Sequence, residues 1–174
     1  MHWTRLQFAA AVAAVAVVFG SAVWAADEVR GVITRTYMIV EDTDLIGNVV
    51  CDVAPNTACF AFGARGVELR LNGFTITGKA DAAVGCGGGA FVNGEIGIST
   101  NNHSNVTVRG PGLVQQFRTH GIAVQGSTEA RVEHLTASTN CGSGVFVAAN
   151  SFGTLVEGVV SVRNGSTAAS CGGI

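Results

Sequence analysis

Two short stretches of the sequence, "GIAVQGS" at residues 121–127 and "GVFVAANS" at residues 144–151, share one pattern. Each begins with glycine, continues with alternating apolar residues and ends in a small polar residue. Apolar residues that alternate over three or four positions are typical of a short β-strand and not of a helix. The two stretches therefore predict the same short strand, repeated along the chain.

The repeat extends into the neighbouring sequence at an offset of 24 residues. Residues 130–140, "ARVEHLTASTN", align with residues 154–164, "TLVEGVVSVRN", and residues 106–110, "VTVRG", precede them in the same frame. The aligned pairs include Val132 with Val156, Glu133 with Glu157, and Asn140 with Asn164. A unit of this length with about three short strands predicts one coil of a stacked structure, whose neighbouring coils lie roughly 4.8 Å apart.

The predicted fold is therefore all-β, a parallel β-helix or solenoid of about 24 residues per coil. An ordinary β-sandwich is the alternative, because it also consists of short strands and turns. A sandwich, however, gives no reason for residues to recur in register at a fixed offset.

Several strand-and-turn motifs resemble those of right-handed parallel β-helix proteins of the pectin-lyase-like superfamily. They are "VELRLNGFTITG" at 67–78, "NVTVRGPG" at 105–112 and the "GIAV"-type strands, and the resemblance covers residues 39–174. The resemblance implies a right-handed helix with Asn72-Gly73 at a tight corner. Related enzymes mostly cut acidic polysaccharides, so the resemblance also implies a polysaccharide or a cell-surface glycan as the partner.

Residues 1–25 have the features of a signal peptide. A short basic start precedes an apolar stretch at 6–20, and Val23 and Ala25 occupy the small-residue positions of a cleavage site. We expect cleavage after Ala25 and export to the extracellular or periplasmic space; an uncleaved membrane anchor is the alternative. Residues 26–174 form the predicted β-helix domain, which we expect to continue beyond the C-terminus because "SCGGI" ends where another strand should begin.

The charge of the mature chain argues against two classes of partner. Outside the signal peptide there are nine basic and twelve acidic residues, and Lys79 is the single lysine. This composition provides no basic stripe for nucleic acid, so no nucleic-acid partner is predicted. No association with a membrane is predicted after cleavage of the signal, and the sequence does not define an oligomeric state.

One predicted column carries charges that could act in catalysis. Arg109, Glu133 and Glu157 are spaced 24 residues apart, so they should lie on adjacent coils. Two carboxylates at that spacing approach the roughly 5 Å separation of retaining glycosidases, and their mutual repulsion would raise one pKa, as a general acid requires. The alternative is a surface ladder in which Arg109 pairs with Glu133 and contributes well under 1 kcal/mol.

No cofactor and no metal site are predicted. The coil region 82–174 contains no aspartate, so it lacks both an aspartate pair and a carboxylate cluster for calcium. His103, His120 and His134 occupy different turns without the spacing of zinc ligands.

Five cysteines in an exported chain predict disulfides. Cys141 and Cys171 should occupy the same corner on adjacent coils, at a distance that a disulfide accepts, although two buried thiols are the alternative. Cys51 and Cys59 flank one short excursion that a disulfide between them could close, which leaves Cys86 over.

Two functions remain open at this point. The first is a non-catalytic extracellular scaffold or glycan-binding segment, which is favoured by the missing aspartate cluster and by the absence of tryptophan after residue 24. The alternative is a polysaccharide lyase, glycoside hydrolase or epimerase whose active site lies largely beyond residue 174.

Overall fold

The structure is a computed structural model that describes residues 26–80 and 94–165. These residues form fifteen β-strands and, within the same ranges, no helix. The strands are β1 Asp27–Ile33, β2 Tyr37–Ile39, β3 Thr43–Cys51, β4 Ala58–Phe62, β5 Glu68–Arg70, β6 Thr75–Thr77, β7 Ile96–Ser99, β8 Thr107–Arg109, β9 Leu113–Gln115, β10 Ile122–Val124, β11 Arg131–Glu133, β12 Thr136–Ser138, β13 Val145–Val147, β14 Leu155–Glu157 and β15 Val160–Val162. In the part of the chain so described, no helix is long and apolar enough to span a bilayer.

The strands pair in two sheets, and every pairing between them is parallel. Ten strands form one sheet and five form the other, in which the order is β13-β10-β7-β4-β2. The larger sheet divides at the long strand β3, which pairs with β5 near one end and with β6 near the other. From there one branch continues through β8, β11 and β14, and the second through β9, β12 and β15.

The register agrees with the repeat in the sequence. Val108 pairs with Val132, and Val132 pairs with Val156, so each step advances the chain by one repeat unit. In the five-stranded sheet, Ile122 pairs with Ile98 on one side and with Val145 on the other. The β-sandwich alternative is wrong for the described residues, because sandwich sheets are antiparallel. The fold is all-β and parallel, which is compatible with a parallel β-helix or solenoid.

One hydrophobic core contains inward-facing side chains from both branches of the large sheet and from the small sheet. Alternate residues of each short strand point inward, so each coil supplies one apolar residue to each column of the core. The columns include Leu69, Val108 and Val132; Ile76, Val114 and Ala137; and Phe60, Ile98 and Ile122, all at 0 or 1% exposure. Leu45, Val49, Phe60 and Phe62 are also buried.

The corners between strands repeat their backbone conformation as well. Asn105, Glu129 and Gly153 occupy equivalent corners with φ angles of 54°, 57° and 64°. A second column, Gln116, Thr139 and Arg163, has φ angles of 58°, 54° and 54°. Side chains with a Cβ are uncommon in this left-handed region, and a β-branched residue such as Thr139 is an outlier there. The backbone conformation of the corner is therefore kept even where the residue at that position favours a negative φ angle.

Asn140 and Asn164 stack at one corner of two successive coils. The side chain of Asn140 is fully buried, and its Oδ1 accepts a hydrogen bond from the Phe117 N–H at 3.0 Å. Its Nδ2 donates to the Val114 carbonyl at 3.2 Å and to Asn164 Oδ1 at 3.0 Å. These bonds connect three coils and satisfy a polar group that would be costly to bury without a partner.

Several sequence-based predictions concern residues outside the described ranges. They are the signal peptide at 1–25 and the C-terminal residues that include Cys171. Between β6 and β9 the register advances by more than one repeat unit, because Ile76 pairs with Val114 whereas Val114 pairs with Ala137.

Candidate functional site

The column that contains the predicted catalytic residues runs along the outer face of the large sheet. Asp44 pairs with Arg70, Arg70 with Arg109, Arg109 with Glu133, and Glu133 with Glu157. We refer to these five residues as the charged column. Parallel in-register pairing requires this proximity, because equivalent residues of adjacent strands lie about 4.8 Å apart.

Arginines and carboxylates within and beside the charged column form a continuous set of ion pairs. Arg70 Nη1 lies 3.0 Å from Asp44 Oδ1, and Arg109 forms an ion pair with Glu68 on the preceding coil. Arg109 Nη1 also lies 2.7 Å from Glu133 Oε2. The pairing of Arg109 with Glu133 is the one expected for an ion-pair ladder.

Glu133 has the most enclosed carboxylate of this column. Its side chain is only 5% exposed, and Arg131 Nε donates to its Oε1 at 2.6 Å. The hydrogen bond from Arg131 lowers the pKa of Glu133, and the charge of Arg109 acts in the same direction, against the opposing effect of desolvation. For Glu133 the hydrogen bond from Arg131 and the charges of Arg109 and Arg131 outweigh desolvation, so its pKa is lowered and not raised.

Glu157 lies at the end of the described column and is exposed. No salt bridge involves Glu157 within residues 26–80 and 94–165, whereas Glu133 contacts two arginines there. The two carboxylates therefore differ in environment. The lowered pKa favours the ionised form of Glu133, which is the form that pairs with the guanidinium groups of Arg109 and Arg131.

The three histidines among the described residues occupy separate places. The His120 ring stacks on Phe146 with a centroid distance of 4.5 Å, and its Nδ1 accepts a hydrogen bond from the Ser143 N–H at 3.0 Å. Burial lowers the pKa of His120, which favours the neutral ring. His103 lies in the turn after β7, and His134 lies in the corner after β11, where its ring covers Gly158.

Among the described residues, no group of three His, Cys, Asp or Glu side chains is arranged to hold a metal ion. Cys51 and Cys59 form a disulfide with a Cα–Cα distance of 5.7 Å. Cys141 is also disulfide-bonded, but its predicted partner Cys171 lies outside the described ranges.

A groove that the sequence analysis did not identify lies on the outer face of the small sheet. It has a volume of about 420 Å³. Met38, Ala61 and Ser99 form one outward-facing column on paired strands, and all three line the groove. Polar side chains flank the column, with Asn56 before β4, and Asn101 and Gln125 after β7 and β10. We refer to this feature as the sheet groove.

The repeat contained a signal for the sheet groove. Asn101 and Gln125 are 24 residues apart, so both positions follow the same strand on successive coils. The small side chains at Ala61 and Ser99 leave room above the sheet, and the amides beside them can both donate and accept hydrogen bonds. Comparisons with models of protein families, with curated proteins and with solved structures find no match to this chain.

Proposed function

We propose that the protein is an exported right-handed parallel β-helix of the pectin-lyase-like kind, with about 24 residues per coil. Outside the cytoplasm it acts as a non-catalytic scaffold and binds a glycan. The observation that carries this proposal is the sheet groove, with its floor of Met38, Ala61 and Ser99 and its flanking amides. The parallel pairing and the register steps of one repeat unit support the helical architecture.

The shape of the sheet groove favours an extended polar ligand. Its floor follows Met38, Ala61 and Ser99 across three adjacent strands, so its length increases with each coil. Asn101 and Gln125 repeat on successive coils at one side of that floor. A chain of sugars offers repeated hydroxyl groups, each of which can donate to or accept from such amides.

The ion pairs of the charged column support a scaffold role in preference to catalysis. Glu133, the enclosed carboxylate, is held by Arg109 and Arg131 and has a lowered pKa. A carboxylate that stays ionised cannot protonate a leaving group, so Glu133 does not suit the general-acid role of such a pair. Substitutions in the charged column should therefore leave glycan binding unchanged, whereas they would abolish hydrolysis if hydrolysis occurred there.

Binding can be measured by affinity electrophoresis and calorimetry of the full-length exported protein against a panel of neutral and acidic polysaccharides. We expect Ala61→Tyr to abolish binding, because the outward-facing ring would fill the sheet groove without entering the core. Gln125→Ala should weaken binding about three- to tenfold, the usual effect of losing an uncharged hydrogen bond.

Gln115→Ala provides the matched control. Gln115 lies on β9 in the large sheet and donates to Thr77 Oγ1, so its loss should leave glycan binding unchanged. If Ala61→Tyr binds as well as the parent, the sheet groove is not the binding site. If the parent protein cleaves any polysaccharide of the panel and Glu157→Gln abolishes that cleavage, the non-catalytic assignment is wrong.

A further inference from the structure

A second pocket, distinct from the sheet groove, lies at a corner of three successive coils. It has a volume of about 640 Å³, and three turns line it. The turn after β4 contributes Ala64 and Arg65, the turn after β7 contributes Asn102, His103 and Ser104, and the turn after β10 contributes Thr128. We refer to it as the turn pocket. All its side chains except that of Ala64 can take part in hydrogen bonds.

Backbone hydrogen bonds hold the three turns of this pocket together. The Gly66 N–H donates to the Ser104 carbonyl at 3.3 Å, and the Asn105 N–H donates to the Thr128 carbonyl at 2.8 Å. The Thr128 N–H donates to Ser104 Oγ at 3.1 Å. Because Ser104 Oγ accepts this bond, its own proton is available to a ligand. The pocket is therefore pre-organised, which reduces the entropic cost of binding.

Arg65 differs from the arginines within and beside the charged column. Its side chain is exposed, and within residues 26–80 and 94–165 it forms no ion pair, whereas Arg70, Arg109 and Arg131 all contact carboxylates. None of the residues that line the turn pocket is acidic. An arginine fork of this kind binds anionic oxygens through two parallel hydrogen bonds.

His103 adds an acceptor beside this cation. Its Nδ1 lies 2.9 Å from the Asn101 carbonyl oxygen, which can only accept, so Nδ1 carries the proton in the neutral ring. Nε2 then presents its lone pair and can accept a hydrogen bond from a hydroxyl group. The turn pocket therefore combines a cation, two hydroxyl donors, an amide and one acceptor nitrogen.

We propose, as an extension of the glycan-binding function proposed above, that the turn pocket binds a sugar that carries an anionic ester, a sulfate or a phosphate. Arg65, Ser104 and Thr128 donate to the ester oxygens, and His103 Nε2 accepts from a neighbouring sugar hydroxyl. A tetrahedral ester fits this set better than a carboxylate, because it offers three terminal oxygens to donors that come from three different turns.

The test uses the full-length protein and NMR titration of its backbone amides with galactose 6-sulfate, galactose 6-phosphate, galacturonic acid, galactose and inorganic sulfate. We expect the two esters to perturb the amides of residues 102–104 and 128, and Arg65→Gln to weaken this binding about tenfold. The ester that binds more tightly identifies the source as a sulfated or a phosphorylated glycan. His103→Ala should weaken the sugar esters several-fold and leave inorganic sulfate unchanged.

Arg35→Gln is the matched control, because Arg35 is also exposed and lines a different depression near β2. If Arg35→Gln and Arg65→Gln weaken binding of the sugar esters equally, the effect follows from the net charge of the protein, and the proposal is overturned. Binding of galacturonic acid as tight as that of the esters would overturn the choice of a tetrahedral group. Gln125→Ala should leave ester binding intact, so a failure of glycan binding in the sheet groove would be distinguishable from a failure here.

Discussion

Replacement of Asn140 by alanine should destabilise the protein more than any loss of a surface asparagine. The side chain is fully buried and makes three hydrogen bonds, to Phe117, Val114 and Asn164. Leaving the buried Phe117 N–H without a partner costs about 1–3 kcal/mol. The other two bonds and the small cavity add about 1 kcal/mol, so we expect a total loss of about 2–4 kcal/mol.

The measurement is urea unfolding followed by far-ultraviolet circular dichroism, because both tryptophans lie in residues 1–25. For a domain of this size each kcal/mol corresponds to about 2–4 °C in Tm, so a drop of roughly 5–15 °C should accompany the loss. The expected change is in the urea midpoint, with an unchanged slope, since the folded surface stays the same.

Two other asparagines provide the comparison. Asn164→Ala should cost about 1 kcal/mol, because Asn164 is half-buried and water can replace part of its bonding. Asn48 is exposed and accepts a hydrogen bond from the Thr75 N–H, so Asn48→Ala should cost less than about 0.5 kcal/mol. Equal effects at Asn140 and Asn48 would refute the argument that the buried bond to the Phe117 N–H stabilises the stack.

Three further changes test other parts of the structure. Thr139→Gly should raise the free energy of unfolding by about 0.5–1 kcal/mol in urea melts, because glycine adopts the φ of 54° without strain; a destabilised variant would contradict this. The pKa of Glu133 is lower in the folded protein than in the unfolded chain. The ionised Glu133 therefore stabilises the fold above the ordinary glutamate pKa, and this stabilisation is lost as the pH falls through the lowered pKa of the folded state. Stability measured between pH 6 and pH 2 should therefore fall more steeply in the parent than in Glu133→Gln, and parallel curves would refute this. The double variant Cys51→Ser, Cys59→Ser should lose about 2–3 kcal/mol, as expected for a disulfide that closes a loop with a sequence separation of 8, and the reduced parent should behave alike.

Much of the register could be predicted from the sequence. Val132 aligns with Val156 and Glu133 with Glu157 one repeat unit apart, and the structure pairs them as β11 with β14. In a stack of parallel strands, each residue lies beside the equivalent residue of the next coil, so a repeat in the sequence indicates the partner directly. The alternation of apolar residues likewise indicates which side chains face the core.

The environment of each charge could not be predicted in this way. The pKa of Glu133 depends on Arg131, which precedes it on the same outward face, as well as on Arg109 in the neighbouring coil. Electrostatic interactions change with distances of a few ångströms and with burial, and a register prediction specifies neither.

The sequence by itself determined that short strands repeat along the chain and which residues of the later coils share a column, because parallel in-register stacking turns a fixed offset in the sequence into contact. Only the tertiary structure decided that Glu133 is enclosed by two guanidinium groups while Glu157 is exposed, and that Arg65 and His103 line one pocket. It also decided that small residues on the outer face of the five-stranded sheet leave a groove. The physical reason is that columns follow from local periodicity, whereas the burial of a side chain and the atoms that it contacts depend on how several coils pack together.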